Sequence, residues 1–116
     1  MLFVDDDPSA LDLYEAIFRR DDFRVLTAPS GLHALEVLSR EPAIVVVVSD
    51  YWMHGMTGVA LLNEVRRLYP RLGRILLTGT PDSEIVVEAR HHKTLTKGMD
   101  PDLIRRVILR EVSQRS

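Results

Sequence analysis

The stretch Ile44-Val45-Val46-Val47-Val48-Ser49-Asp50 decides the fold. Its first five residues are all β-branched and apolar, so side chains on both faces of a strand there would be apolar. β-branched residues favour extended backbone, and a strand that is apolar on both faces is typical of a parallel sheet covered by helices on each side. The stretch therefore predicts a central strand that ends at an aspartate.

Short apolar runs alternate with longer amphipathic stretches on both sides of this strand. Strands are predicted over residues 2–4, 24–28, 44–48, 75–77 and 94–96. The predicted helix starts are Pro8 after an Asp7 cap, the stretch after a Ser30 cap, Gly58, Thr80-Pro81 and Asp100-Pro101. In the second helix, Leu32, Leu35 and Leu38 are expected on the buried face. Five strands alternating with five helices predict an α/β fold, a doubly wound five-stranded parallel sheet with right-handed crossovers.

Length and composition set further limits. The chain of 116 residues fits one domain over residues 1–116, because a core of this size can support a fold unaided. The net charge of -2 gives no global attraction to nucleic acid or anionic lipid. The longest apolar run, residues 43–48, is far shorter than the roughly 20 residues that cross a bilayer. With no cysteine, the chain fits a reducing compartment. We expect a soluble cytoplasmic protein without direct nucleic-acid or membrane binding.

Polar side chains follow four of the five predicted strands. These are Asp5 and Asp6 after the first, Asp50 after the third, Thr78 after the fourth and Lys97 after the fifth. In an open α/β sheet, ligands bind outside the carboxyl ends of the strands, where the winding direction reverses. If the strand order is 2-1-3-4-5, that point lies between strands one and three. The five side chains would then converge at one edge of the sheet.

The chemistry of this set indicates phosphoryl transfer. Carboxylates crowded together repel one another, so the site favours a cation, and all-oxygen ligands suit Mg²⁺. A lysine and a hydroxyl can bind the remaining oxygens of a phosphoryl group. We therefore interpret Asp50 as a carboxylate nucleophile, with Lys97 and Thr78 stabilising the transferred group.

The sequence resembles the receiver domains of two-component response regulators, the CheY-like family, over nearly its whole length. The matching segments are Phe3-Val4-Asp5-Asp6-Asp7, residues 48–58 (VSDYWMHGMTG), Ile75-Leu76-Leu77-Thr78-Gly79 and Leu95-Thr96-Lys97. The resemblance implies a flavodoxin-like fold and a phosphoacceptor, Asp50, that is charged by a sensor histidine kinase and switches a partner or output module. It also implies that the domain is not an enzyme, although it takes part in its own phosphotransfer and autodephosphorylation.

The same resemblance assigns the metal ligands. Asp6 and Asp50 would bind Mg²⁺ together with the backbone carbonyl of Trp52, and Asp5 would assist. Thr78 and Lys97 would hold the phosphoryl group.

Departures from the family pattern concern how phosphorylation is reported. Gly98 follows the lysine where the family has proline, which predicts a trans Lys97–Gly98 bond and a looser loop. His54 also replaces a proline, and Thr94 replaces an aromatic residue whose rotation reports phosphorylation. We expect a signal that does not use an aromatic rotamer switch. Trp52 is a candidate shield for the acyl phosphate, with a partner contact or loop packing as the alternative, and Thr80 and Thr94 are candidate modulators.

Two alternatives stay open at this stage. One is a degenerate receiver that binds a protein partner without phosphate. The other is a small phosphohydrolase resembling the haloacid dehalogenases, in which Asp5 would be the nucleophile. The sequence does not identify the cognate kinase, the output partner or the oligomeric state, for which a homodimer is one candidate. The chain is either a stand-alone regulator or part of a longer protein.

Overall fold

The computed structural model describes residues 1–21, 23–79 and 82–115. Strands and helices alternate along this part of the chain. They are β1 (Leu2–Val4), α1 (Pro8–Ile17), β2 (Leu26–Ala28), α2 (Gly31–Arg40), β3 (Val46–Ser49), α3 (Gly58–Leu68), β4 (Gly73–Thr78), α4 (Ser83–Glu88), β5 (Lys93–Thr96) and α5 (Pro101–Arg115).

The described strands form one parallel sheet in the order β2-β1-β3-β4-β5, which confirms the predicted topology. The apolar run lies in the middle of the sheet, where β3 pairs with β1 on one side and β4 on the other. The order reverses between β1 and β3, so their carboxyl ends form the edge at which a ligand site was predicted.

Alternate residues of the central strands face two separate apolar cores. Leu2, Val47 and Leu76 pack with residues of α2 and α3. Phe3, Val48 and Ile75 belong to the other core, which includes residues of α1 and α5. The period of two along each strand thus explains why β3 needs apolar side chains on both faces.

Side-chain caps fix where the helices begin. Asp7 accepts from the N–H of Ser9 at the start of α1, and Ser30 accepts from the N–H of His33 at the start of α2. Thr57 caps α3 and Asp82 caps α4 in the same way. These caps satisfy N–H groups that have no partner within the helix.

Several details differ from the sequence-based expectations, among them the start of β3 at Val46 rather than Ile44 and the longer β4. Leu32 was expected to be buried, and this was wrong: its side chain is 70% exposed, whereas Ala34 and Leu38 are buried. Ala34 and Leu38 are four residues apart and share a helix face, which Leu32 does not. β2 begins at Leu26 rather than residue 24, because Leu26 pairs with Leu2, the first residue of β1. The predicted start of the fourth helix at Thr80-Pro81 lies outside the described residues, and the described helix begins at Ser83.

No helix in the described ranges is both long enough and apolar enough to cross a membrane.

Candidate functional site

Backbone hydrogen bonds carry the strand pairing one residue past the strands and so place the polar residues at one edge. The N–H of Asp50 donates to the carbonyl of Val4 at 2.9 Å, and the N–H of Lys97 donates to the carbonyl of Thr78 at 2.9 Å. The N–H of Asp5 donates to Ala28 at 3.2 Å. Each side chain therefore leaves the sheet from a backbone that is held on a neighbouring strand.

Lys97 lies between two carboxylates. Its Nζ is 3.1 Å from Oδ2 of Asp5 and 3.2 Å from Oδ1 of Asp50. The side chain of Asp5 is only 2% exposed, that of Asp50 is 12% exposed and that of Lys97 is 34% exposed. Of the two carboxylates, Asp50 is the more accessible to an incoming group.

The pKa of Asp50 is raised above its usual value. Burial is the largest cause, the ammonium of Lys97 acts in the opposite direction, and the negative charge of Asp5 raises the pKa further. A second cation at the site would favour the charged form of Asp50.

Asp5, Asp6 and Asp50 form a carboxylate cluster. One oxygen from each lies within 4.8 Å of the others. Mg²⁺ binds oxygen at about 2.0–2.1 Å, so oxygens on opposite sides of one ion lie roughly 4.2 Å apart. The separation in the cluster, at most 4.8 Å, is close to that spacing. The cluster therefore fits a single divalent cation, and its all-oxygen composition suits Mg²⁺.

Thr78 is buried at the end of β4, and its hydroxyl has no hydrogen-bond partner among the described residues. A buried hydroxyl without a partner costs about 1–3 kcal/mol. β4 is adjacent to both β3 and β5 in the sheet. The hydroxyl is thus a free donor at the edge that also carries Asp50 and Lys97.

The loop after Asp50 is shaped by its glycines and by Asp6. Gly55 has a φ of 80°, a backbone conformation that side chains disfavour. The N–H of His54 donates to Oδ2 of Asp6 at 3.2 Å, which holds the loop beside the carboxylate cluster. A Cβ on Gly58 would lie 2.0 Å from the carbonyl oxygen of Asp50, so only glycine allows the start of α3 to lie this close to the backbone of Asp50.

Trp52 lies on this loop with its side chain 65% exposed and its ring edge-on to Tyr51 at 4.7 Å. Its backbone lies two residues before His54, whose N–H donates to Asp6. That its carbonyl binds a metal stays a prediction.

The remaining predicted residues lie away from the cluster or outside the described part of the chain. Thr94 lies on β5, pairs with Leu76 of β4 and is partly buried. The Lys97–Gly98 bond is trans, as expected. Thr80 falls outside the described residues.

Tyr14 is the site residue that sequence reasoning missed. It is 7% exposed and stacked on Phe3 at 4.8 Å between ring centres. It also lines a groove between α1 and α5 together with Lys97, whose positive charge acts to lower the pKa of the phenol while burial raises it. The signal available in the sequence was one hydroxyl-bearing residue on a stripe otherwise formed by Leu11, Ile17 and Phe18.

His92 lies apart from the acidic cluster. Its Nδ1 accepts from Nε of Arg74 at 3.1 Å, and its Nε2 is 2.7 Å from Oδ1 of Asn63. Both ring nitrogens are occupied, so the ring is the neutral tautomer with its proton on Nε2. Burial is the largest cause that lowers the pKa of His92 to about 4, and the charge of Arg74 comes second.

Comparison with known proteins identifies relatives over nearly the full length. The family described as "Response regulator receiver domain" matches residues 1–109. Transcriptional regulatory protein GlrR of Escherichia coli K12 is 34% identical over 93% of this chain and 25% of its own length. Two-component response regulator ORR5 of Oryza sativa subsp. japonica is 33% identical over 98% of this chain and 83% of its own length.

Solved structures agree. A response regulator receiver domain protein from Clostridium thermocellum superposes with a TM-score of 0.87 and 25% identity, covering 97% of this chain and 93% of that one. The chain spans about a quarter of the length of the first curated relatives that it matches.

Proposed function

The chain belongs to the response regulator receiver domains, and from that premise we propose that Asp50 accepts a phosphoryl group from a phosphohistidine of a sensor histidine kinase. The observation that carries the proposal is the contact of the Lys97 ammonium with Asp50 at 3.2 Å, inside the cluster formed with Asp5 and Asp6. A carboxylate flanked by a fixed cation and a cation-binding cluster is poised for phosphoryl transfer.

In the proposed reaction, a carboxylate oxygen of Asp50 forms a bond to phosphorus while the bond between phosphorus and the donor nitrogen breaks. Lys97 donates to one phosphoryl oxygen, and the Thr78 hydroxyl, which lacks a partner in the part of the chain that the structure describes, donates to another. These two contacts offset the negative charge that reaches Asp50.

Mg²⁺ is the proposed cofactor, with Asp5, Asp6, Asp50 and the backbone carbonyl of Trp52 as its protein contacts. When bound, it would neutralise charge on the phosphoryl oxygens. The fit of the carboxylate cluster to one small cation supports this assignment.

Neither alternative gains support. A phosphohydrolase that uses Asp5 would need an accessible carboxylate, yet the Asp5 side chain is 2% exposed and accepts from Lys97 and from the N–H of Asp7. A phosphate-independent module would not require the lysine and the two further carboxylates, Lys97, Asp5 and Asp6, that surround Asp50.

Reporting of phosphorylation is proposed to occur without an aromatic rotamer switch, because Thr94 occupies the relevant position of β5. A displacement of β5 and α4 like that of ordinary family members, seen between structures with and without a phosphoryl mimic, would contradict this.

The partner or output module remains to be identified, and the cytoplasmic location expected from the sequence stays a prediction. We treat residues 1–116 as one signalling domain rather than an enzyme.

Trp52 is proposed to shield the acyl phosphate from water. Trp52→Ala should shorten the lifetime of the phosphorylated form, measured by the decay of phosphoprotein after donor removal. An unchanged lifetime would favour a partner contact for this exposed side chain instead.

The proposed function is tested by incubating the protein with a small acyl-phosphate donor, with and without Mg²⁺, and separating phosphorylated from unphosphorylated protein on a phosphate-affinity gel. We expect Mg²⁺-dependent phosphorylation that Asp50→Asn abolishes and Asp12→Asn, on the exposed side of α1, leaves intact. Absence of phosphorylation in the unmutated protein would refute the proposal and favour the phosphate-independent module.

A further inference from the structure

α4 is a lightly anchored helix. Of its six residues, Ser83–Glu88, only Ile85 is buried, and the side chains of Val86 and Val87 are 49% and 62% exposed. A short helix with one buried side chain has few contacts that resist local opening. The position of α4 therefore depends on the few side chains that tie it to the rest of the fold.

One such tie joins α4 to the residue that follows the proposed phosphoacceptor. The hydroxyl of Tyr51 donates to Oε2 of Glu88 at 3.0 Å, although the two residues are 37 positions apart in the chain. The side chain of Tyr51 is only 9% exposed and belongs to the same apolar core as Ile85. The hydrogen bond thus connects the last residue of α4 to a ring that is held by packing.

The backbone beside Tyr51 is fixed as well. The carbonyl of Tyr51 accepts from the N–H of Gly58 at 2.9 Å, and the carbonyl of Asp50 accepts from the hydroxyl of Ser49 at 2.9 Å. Tyr51 therefore offers Glu88 a donor whose position is set by the same segment that carries Asp50.

The other end of α4 follows a second residue of the proposed site. Thr78 ends β4, and residues 79–82 lead from it to the start of α4. In the proposed reaction the Thr78 hydroxyl, which no described residue binds, donates to a phosphoryl oxygen on Asp50. A movement of Thr78 towards that oxygen would pull on the start of α4, and the bond from Tyr51 to Glu88 would resist it at the other end.

We propose that the Tyr51–Glu88 hydrogen bond is a restraint that holds α4 in place in the unphosphorylated domain and is released when Asp50 becomes phosphorylated. The inference rests on the proposed function of Asp50, and it gives the domain a route of reporting that does not pass through Thr94. Because coupling between two sites is reciprocal, a restraint that phosphorylation releases also lowers the affinity of the site for a phosphoryl group.

Tyr51→Phe removes the hydroxyl and keeps the ring in the core. Tyr69→Phe is the matched control, because it deletes the same group at the C-cap of α3 rather than beside α4. In the presence of Mg²⁺, we expect the affinity for beryllofluoride, a phosphoryl mimic, to rise roughly two- to fivefold in Tyr51→Phe, which is the factor for one hydrogen bond to an exposed acceptor. Tyr69→Phe should leave the affinity unchanged. An unchanged or lowered affinity in Tyr51→Phe would overturn the inference.

A double-mutant cycle tests whether Tyr51 acts through Glu88. Glu88→Ala should raise the affinity for beryllofluoride by the same factor as Tyr51→Phe, and Tyr51→Phe should add nothing in the Glu88→Ala background. Equal gains in both backgrounds would mean that Tyr51 acts through another contact, which would also overturn the inference.

Amide hydrogen exchange tests the restraint without a phosphoryl group. The N–H of Ala89 donates to the carbonyl of Ile85 at 2.8 Å at the end of α4, and its exchange should be about two- to fivefold faster in Tyr51→Phe than in the unmutated protein. The difference should vanish when beryllofluoride saturates both proteins. Equal exchange in the two free proteins would refute the restraint while leaving the proposed function of Asp50 intact. Failure of the unmutated protein to bind beryllofluoride with Mg²⁺ would instead refute the proposed function.

Discussion

Gly58→Ala gives the most direct link between the backbone of this fold and the chemistry of Asp50. Gly58 is the first residue of α3, and its N–H donates to the carbonyl of Tyr51 at 2.9 Å. A Cβ on Gly58 would lie 2.0 Å from the carbonyl oxygen and 2.8 Å from the carbonyl carbon of Asp50. A side chain there would collide with the backbone of the proposed phosphoacceptor.

Two effects of opposite sign act on stability, and their magnitudes decide the outcome. Alanine is favoured over glycine by about 1 kcal/mol in a helix. Real Cβ atoms essentially never approach another atom more closely than 3.0 Å, so the two backbones must separate by about 1 Å. Overpacking of this kind typically costs 1–3 kcal/mol, and the upper end applies here because the obstacle is backbone. We expect Gly58→Ala to lower the free energy of unfolding by about 2 kcal/mol.

The same displacement should also slow the phosphorylation of Asp50, and in free-energy terms this loss should exceed the loss of stability. A misplacement of about 1 Å at a reacting group can cost roughly 100-fold in rate. Urea unfolding measures the first effect, and the initial rate of phosphorylation by an acyl-phosphate donor measures the second, at a temperature where both proteins are folded. Gly79→Ala is the control, since a Cβ there meets no described residue within 4 Å. Unchanged stability and unchanged rate in Gly58→Ala would refute the reasoning.

Three further predictions concern single side chains. Thr78→Val removes a buried hydroxyl that has no partner among the described residues, so we expect the free energy of unfolding to rise by about 1 kcal/mol while the affinity for beryllofluoride, a phosphoryl mimic, falls roughly tenfold; a loss of stability would contradict this. The pKa of His92 is lowered from 6.5 to about 4 in the folded protein, so the unfolded chain takes up a proton at this residue first as the pH falls. The contribution of His92 to stability is therefore complete above pH 6.5 and is lost as the pH falls towards 4. Screened by solvent, this amounts to about 1–2 kcal/mol, and urea unfolding of His92→Gln between pH 7 and pH 4 should show a correspondingly weaker pH dependence than the unmutated protein. Tyr51→Phe removes the 3.0 Å bond to Glu88 of α4 and should cost about 0.5–1 kcal/mol in thermal or urea unfolding, an expectation that equal stability would disprove.

The strand order and the edge that carries the site could be predicted from the sequence, because both depend on local patterns. The β-branched run before Asp50 identified the central strand, and the alternation of strands and helices limited the topology. Once the order was set, the polar residues at the strand ends had to converge, since parallel strands present their carboxyl ends on one side.

Features that depend on contacts between distant elements could not be predicted. The placement of Tyr14 and Lys97 in one groove requires α1 to lie beside the residue that follows β5, and the ring of Tyr14 alone already satisfied the apolar pattern of α1. The error at Leu32 had a similar origin, because leucine spacing was used without knowing which face of α2 meets the sheet. That no residue within 1–21, 23–79 or 82–115 offers the Thr78 hydroxyl a hydrogen bond is likewise a property of the packed strand end.

The central claim is that Asp50, and not Asp5, carries the phosphoryl group. The most direct measurement is to phosphorylate the protein with a small acyl-phosphate donor and Mg²⁺, and to locate the modified aspartate by peptide mass spectrometry after reductive trapping of the acyl phosphate. We expect a single modified site at Asp50 that disappears in Asp50→Asn. Modification at Asp5, or modification that persists in Asp50→Asn, would contradict it.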